Sequence, residues 1–293
     1  MERAGGRSAF HVAGPGGMSV HGYVAREQVL DIEKRQMILN YVFGCSHSTV
    51  NFPSGGVFAG IAAINPAPAS LTMQLAERGM TWFSYCLTGG PSRHGFLRFG
   101  ADVPHNPRYQ TTRILPALDA NDSAAYYVGL IGISIGMCRL NMIHPEVFAR
   151  GKGGQGGTII DLGTPVTVMA EEAYQVIEQA AWSALKEHGA ERVARCPYNL
   201  CVRVTKVVKG HLPSLSLHFA DEEDATLVVS PEQLFLMMDD EHVGQMACLA
   251  MVPGRRTVIG ALQQVDTRFV FDLKDSKILF APESCIKDTV SDI

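Results

Sequence analysis

The chain has 293 residues, 46% of them hydrophobic and 18% charged, with a formal net charge of −4. That is long for one core, comfortable for two lobes, and too apolar for a disordered protein. The mild charge, with Lys and Arg scattered, argues against nucleic acid or an anionic membrane as partner, and no run of eighteen apolar residues is present to span a bilayer.

In chain order, the first seventeen residues, MERAGGRSAFHVAGPGG, lack the apolar core of a secretory signal. A short helix is expected around Leu71–Arg78, stopped by Gly79. The weakest join is Asp119–Ala124, and the lobe boundary is placed there, between residues 122 and 123. Asn121-Asp122-Ser123 within it is a glycosylation triplet. Tyr127, Gly129, Ile131, Ile133 and Ile135 then alternate with Val128, Leu130, Gly132 and Ser134, as in one strand whose two faces are buried to different degrees. A second short helix is expected around Pro145–Arg150. Gly153-Gly154-Gln155-Gly156-Gly157 is glycine-rich but leads into a strand, so phosphate binding is not expected.

From Ala170 to His188 a helical stripe of Tyr174, Ile177, Ala181 and Leu185 runs to a terminating Gly189, with Glu171 and Glu172 in the first turn. Leu215, Leu217 and Phe219 alternate as a strand, and the acidic run Asp221–Asp224 reads as a solvated loop. FVFDL and SKILF, around Lys274-Asp275, read as a β-hairpin. Few helices among many short strands make the chain mostly β. Neither the ten histidines nor the seven cysteines show metal-ligand spacing, so no metal or cofactor is expected. The cysteines suit disulfides, and their odd number leaves at least one thiol unpaired. His211 and His218 read as surface or satisfied-core residues.

The segment Gly156–Thr164, GGTIIDLGT, runs β-branched residues straight into Asp161, with Gly163 to permit a tight turn and Thr164 in hydrogen-bonding range. On this segment alone, an Asp that caps a turn fits equally well.

Further segments, in order, carry a resemblance: YVFGCS (41–46), FSYCL (83–87), LRFG (97–100), YYVGLIGISIG (126–136), LPSLSLHF, CLA (248–250), VIGALQQ (258–264) and FDLKDSKILFAPESC. Together with GGTIIDLGT they resemble the plant branch of the pepsin-like aspartic proteases, the nepenthesin-like group that also holds the cereal xylanase-inhibitor proteins. The resemblance implies a mostly β, bilobal pepsin-like fold: an incomplete N-terminal lobe over residues 1–122, then a C-terminal lobe over 123–293. Its chemistry is peptide-bond hydrolysis by two carboxylates that share a proton. Asp161 matches the second of these, Gly163 and Thr164 its loop, and Ile259-Gly260 the apolar-apolar-Gly element behind it. It also implies a Cys201–Cys248 disulfide within the second lobe and a Cys285 that reaches back to a cysteine such as Cys86, a connectivity that spacing leaves open. Cys45, Cys138 and Cys196 are left as free, buried thiols, Cys45 because its usual upstream partner is missing.

Four departures bear on activity. No Asp-Thr/Ser-Gly loop precedes the flap in this sequence, where Asp31 is the first aspartate. Gly14-Pro15-Gly16-Gly17 replaces the flap's Tyr-Gly-Asp-Gly. Leu162 stands where a Ser or Thr hydroxyl normally pins the two catalytic loops together. Gly60–Asn65 has lost the glycine of the first lobe's matching element. The expectation is an aspartic-endopeptidase homologue of little or no activity, monomeric, with a polypeptide substrate where active. The alternative is a non-catalytic inhibitor or binding protein of the xylanase-inhibitor type, with a cell-wall hydrolase as partner. The resemblance also implies a secreted or vacuolar protein, and a segment missing upstream would account for the absent signal, the absent loop and the odd thiol together.

Overall fold

The computed structural model describes residues 3–4, 7–13, 17–31, 36–51, 60–89, 95–119, 124–220 and 225–286. The chain forms two compact units, Met1–Leu75 and Ala76–Ile293. The lobe boundary expected at 122/123, the Asn121 triplet, the acidic run at 221–224 and the flap tip at 14–16 lie outside the described residues.

The first unit holds β1 (Arg3–Ala4), β2 (Arg7–Ala13), β3 (Ser19–Asp31) and β4 (Gln36–Val50), an antiparallel sheet in sequence order, and then α1 (Leu71–Ala76). The flap-like segment thus falls on the β2–β3 hairpin, where His11 stands opposite His21. Gly22 permits close strand approach: a Cβ there would sit 2.2 Å from the Cys45 carbonyl oxygen. The Gln74 side chain, on α1, brackets the Val42 peptide, accepting from its N–H at 2.8 Å and donating to its carbonyl at 2.9 Å.

The second unit opens with β5 (Trp82–Leu87), β6 (Gly95–Phe99), β7 (Gln110–Arg113), β8 (Tyr126–Val128), β9 (Leu130–Ile135) and β10 (Cys138–Arg139). It continues with β11 (Thr158–Ile160), β12 (Thr167–Ala170), α2 (Glu171–Lys186), β13 (Arg192–Arg195), β14 (Tyr198–Arg203) and α3 (Lys206–Gly210). The remainder is β15 (Leu215–Phe219), β16 (Thr226–Val229), α4 (Pro231–Leu234), β17 (Phe235–Asp240), β18 (Gly244–Leu249), β19 (Met251–Gly254), β20 (Thr257–Ile259), β21 (Thr267–Asp272) and β22 (Lys277–Pro282). The described strands of this unit make four sheets, ordered β6-β5-β21-β22-β7, β19-β12-β20-β11-β8, β10-β9-β15-β16 and β13-β14-β18-β17. The fold is mostly β, of the pepsin-like class.

Apolar periodicity accounts for the main elements. On α2 the stripe Tyr174, Ile177, Ala181 and Leu185 is buried, and Gly189 closes the turn at φ +74°. Burying Ile177 alone contributes about 1.5–3 kcal/mol. Leu215, Leu217 and Phe219 point into the core, while His218 on the other face bonds Ser134 and Thr226 through its two ring nitrogens. An aromatic stack of Phe83, Phe271 and Tyr126 joins β5, β21 and β8, with Phe83 and Phe271 stacked at 4.5 Å.

Three expectations need correction. The strand expected over 126–136 is two strands in two sheets: β8 pairs with β11 and β9 with β15. The chain changes sheets at Gly129, whose carbonyl accepts the Ala220 N–H at 2.7 Å. Both faces of the two strands are largely buried, because each sheet covers its own segment. The helix expected at Pro145–Arg150 is a 3₁₀ turn, Pro145–Phe148. The hairpin expected around Lys274-Asp275 does form, between β21 and β22, with a turn over residues 273–276 in which the Asp272 carboxylate accepts the Lys274 and Asp275 N–H groups. Finally, Cys45, Cys138 and Cys196 are free but exposed: each sits on a strand or turn whose surroundings open to solvent. Cys86 is bonded to Cys285, and Cys201 to Cys248 directly across the β14–β18 pair.

Candidate active site around Asp161

Asp161 follows the end of β11, the strand at the centre of the site. Thr158, Ile159 and Ile160 pair in parallel with Thr257, Val258 and Ile259 of β20 and antiparallel with β8 on the other side. Such a doubly flanked strand demands apolar β-branched residues, and Tyr127, Ile159 and Val258 pack together in its core. The main chain hands the pairing on one residue further, because the Asp161 N–H donates to the Ile259 carbonyl at 3.2 Å. The carboxylate therefore emerges from the rigid end of a strand.

Its two oxygens are engaged from within the loop. Oδ1 accepts the Gly163 N–H at 2.9 Å and Oδ2 accepts the Thr164 hydroxyl at 2.7 Å. The loop is then laid over the 3₁₀ turn, Ala261–Gln264, that follows β20. Thr164 and Pro165 carbonyls accept from Ala261 and Leu262 at 2.8 and 3.0 Å, and the Gly260 N–H donates to Thr167 Oγ1 at 3.1 Å. Gly260 is required there: a Cβ would lie 2.5 Å from the Val166 carbonyl carbon. Asp161, Gly163, Thr164, Ile259 and Gly260 thus meet in one loop crossing. Leu162, at the turn, offers no hydrogen bond.

Three participants escaped the sequence reading. Gln263 and Gln264 are buried at 1% and 0% exposure beneath the loop, and Tyr85 of β5 donates to Gln264 Oε1. Burial, then the charges of Asp161 and Tyr126, push the Tyr85 phenol well above its usual range, so it stays a donor. The available signal was a polar pair inside the apolar run VIGALQQV, which a buried position must satisfy. Arg268 also went unread. It is fully buried and held in a two-pronged pair with Glu283 at 2.7 and 2.8 Å, away from the Asp161 loop.

The family model described as xylanase inhibitor C-terminal matches residues 125–282, and the one described as xylanase inhibitor N-terminal matches residues 7–101. The chain belongs to this family. Among its curated relatives, nepenthesin-2, an aspartic proteinase of Nepenthes gracilis, is 28% identical over 273 residues, covering 92% of this chain and 59% of its own. Aspartyl protease family protein 2 of Arabidopsis thaliana is 29% identical over 259 residues, covering 86% of this chain and 50% of its own. The chain spans about half the length of the curated relatives it matches. The crystal structure of basic 7S globulin from soybean aligns with a TM-score of 0.72 at 21% identity, over 94% of this chain and 74% of that one, and shows the shared fold. The family is therefore that of the plant pepsin-like aspartic proteases, the nepenthesin-like group.

Proposed function

We propose that this chain is an aspartic-endopeptidase homologue that presents one preformed half of a proteolytic site, with Asp161 as its carboxylate, and that as it stands it hydrolyses peptide bonds weakly or not at all. The observation that carries this reading is the Asp161 loop: both carboxylate oxygens are held by Gly163 and Thr164, while Leu162 cannot reach a second loop through a hydroxyl. The pepsin mechanism needs two carboxylates that share a proton, to activate water and protonate the substrate carbonyl, and among the described residues the bonds to the Asp161 carboxylate come from Gly163 and Thr164 rather than from a second acid. Gly163, Thr164, Ile259 and Gly260 support the carboxylate. By descent the lobes divide at 122/123, and the family models, ending at 101 and resuming at 125, support that division. Where it is active its substrate is polypeptide, the chain is a monomer, and its two disulfides support an oxidising compartment, secreted or vacuolar.

The purified chain is to be assayed on a denatured protein at acidic pH beside Asp161→Asn. Cleavage at or barely above the Asp161→Asn background is expected; pepstatin-sensitive cleavage at the rate of an intact pepsin-like protease, abolished by Asp161→Asn, would overturn the reading.

A second reading, a binding protein of the inhibitor type, is favoured by the xylanase-inhibitor descriptions of both matching family models and by Leu162. It requires a complex with a cell-wall hydrolase, sought by titrating the chain into a xylan-degrading glycoside hydrolase and reading both binding and residual hydrolase activity. No heat of binding and full residual activity would remove it.

A further inference from the structure

We propose that Gln263 and Gln264 are positioning residues that staple the Asp161 loop from beneath, one at each end, so that its shape is built entirely within residues 76–293. The functional meaning rests on the half-site reading above; the geometry does not.

Gln264 holds the entry to the loop. Its Nε2 donates to the Ile259 carbonyl at 2.8 Å and reaches the Asp161 carbonyl at 3.4 Å, bridging the end of β20 to the residue that carries the carboxylate. Its Oε1 accepts from Tyr85 Oη, which fixes the carboxamide with its NH₂ group toward the two carbonyls. Gln263 holds the exit. Its Oε1 accepts both the Thr167 N–H at 2.9 Å and the Thr167 hydroxyl at 2.8 Å, and that hydroxyl in turn accepts from the Gly260 N–H. Its Nε2 donates to the Gln233 and Ala250 carbonyls at 2.7 and 3.2 Å, anchoring the assembly in the helix-turn and strand end behind.

The chemistry explains why glutamine stands here twice. The backbone crossing leaves carbonyls and N–H groups at one depth, away from water, and each must be satisfied. A carboxamide supplies two donors and an acceptor without charge. A carboxylate would bring an uncompensated charge and lose the donors, and an apolar residue would leave the loop's peptide groups bare.

The test is amide hydrogen exchange, read by NMR without substrate. Gln264→Met and Gln263→Met keep side-chain volume and remove the polar groups. Exchange at Gly163 and Ala261 in Gln264→Met, and at Gly260 in Gln263→Met, is expected to quicken about tenfold or more, with the amides of β15 and α2 unchanged as controls. Loop amides within about twofold of wild type in either folded variant overturn its part of the staple. Should the Met variants fail to fold, Tyr85→Phe decides. It frees the Gln264 carboxamide while keeping both its donors, so faster exchange at Gly163 supports the staple and wild-type exchange refutes it. Because no cleavage is measured, a failure here removes the glutamines' role, whereas Asp161-dependent proteolysis at the rate of an intact pepsin-like protease would remove the half-site reading.

Discussion

At Asp161 each carboxylate oxygen has its own donor, and the bond from Thr164 is the shorter of the two. The Arg268–Glu283 pair differs in its setting: the guanidinium is fully buried, while the Glu283 side chain keeps 12% of its surface exposed. Glu283→Gln is expected to lower the unfolding free energy by about 3 kcal/mol or more, because it removes the carboxylate from a fully buried guanidinium. Replacing both by Met and Leu should cost less, and urea denaturation of the single and double variants separates the cases. Burial, as the leading cause, pushes the Tyr109 and Tyr174 phenols up to about 12. In the unfolded chain they ionise near pH 10, so their contribution is fully present below about pH 10 and lost as pH rises toward about 12. The urea midpoint of Tyr109→Phe should therefore fall less than that of wild type between about pH 9 and about pH 11.

At the scale of elements, α2 shows what periodicity can carry. Four apolar side chains at helical spacing and a closing glycine were enough to read it, and the alternation in β15 was equally plain. Ile177→Ala should cost about 2–5 kcal/mol by thermal or urea unfolding, because the residue is fully buried. Other features stayed hidden for physical reasons. The alternation through Tyr127 and Ile133 continues unbroken across Gly129, yet hydrogen bonding sends its halves to different sheets, and partner choice leaves no mark on a strand's own period. The exposure of Cys45, Cys138 and Cys196 depends on what packs around each in three dimensions, which residue type alone does not report. The Asp161 loop was legible from its Gly and Thr, but Gln263 and Gln264 acquire meaning only when Thr167 and Ile259 are brought beside them. Gly260→Ala is a sharp test of that crossing: its Cβ cannot fit against Val166 without a backbone shift, so a lowered melting temperature and faster exchange in the loop are expected.

For the whole molecule, the two units differ in how they are secured. The larger carries both disulfides, and Cys86–Cys285 closes 199 residues of chain. In the chain-entropy picture a loop of that length contributes about 5 kcal/mol. The Cys86→Ala, Cys285→Ala double variant should lose stability on that scale in urea. The smaller unit exposes Val12, Phe43 and Val50 on its strands and has no disulfide among its described residues. Limited proteolysis is expected to nick residues 1–75 before the larger unit.

The parallel pairing of β11 with β20 has a consequence in time. Ile160 finds its neighbour Ile259 only after ninety-nine further residues have been made, since a ribosome delivers the chain from its N-terminus. Until then the segment that carries Asp161 has no strand to lie against on that side, and its β-branched run stays sticky. Non-local parallel pairing is slow even in a finished chain. The half-site is thus among the last parts of the molecule to exist during synthesis, and a nascent chain halted between Thr164 and Thr257 would carry the aspartate and its loop without the strand that holds them.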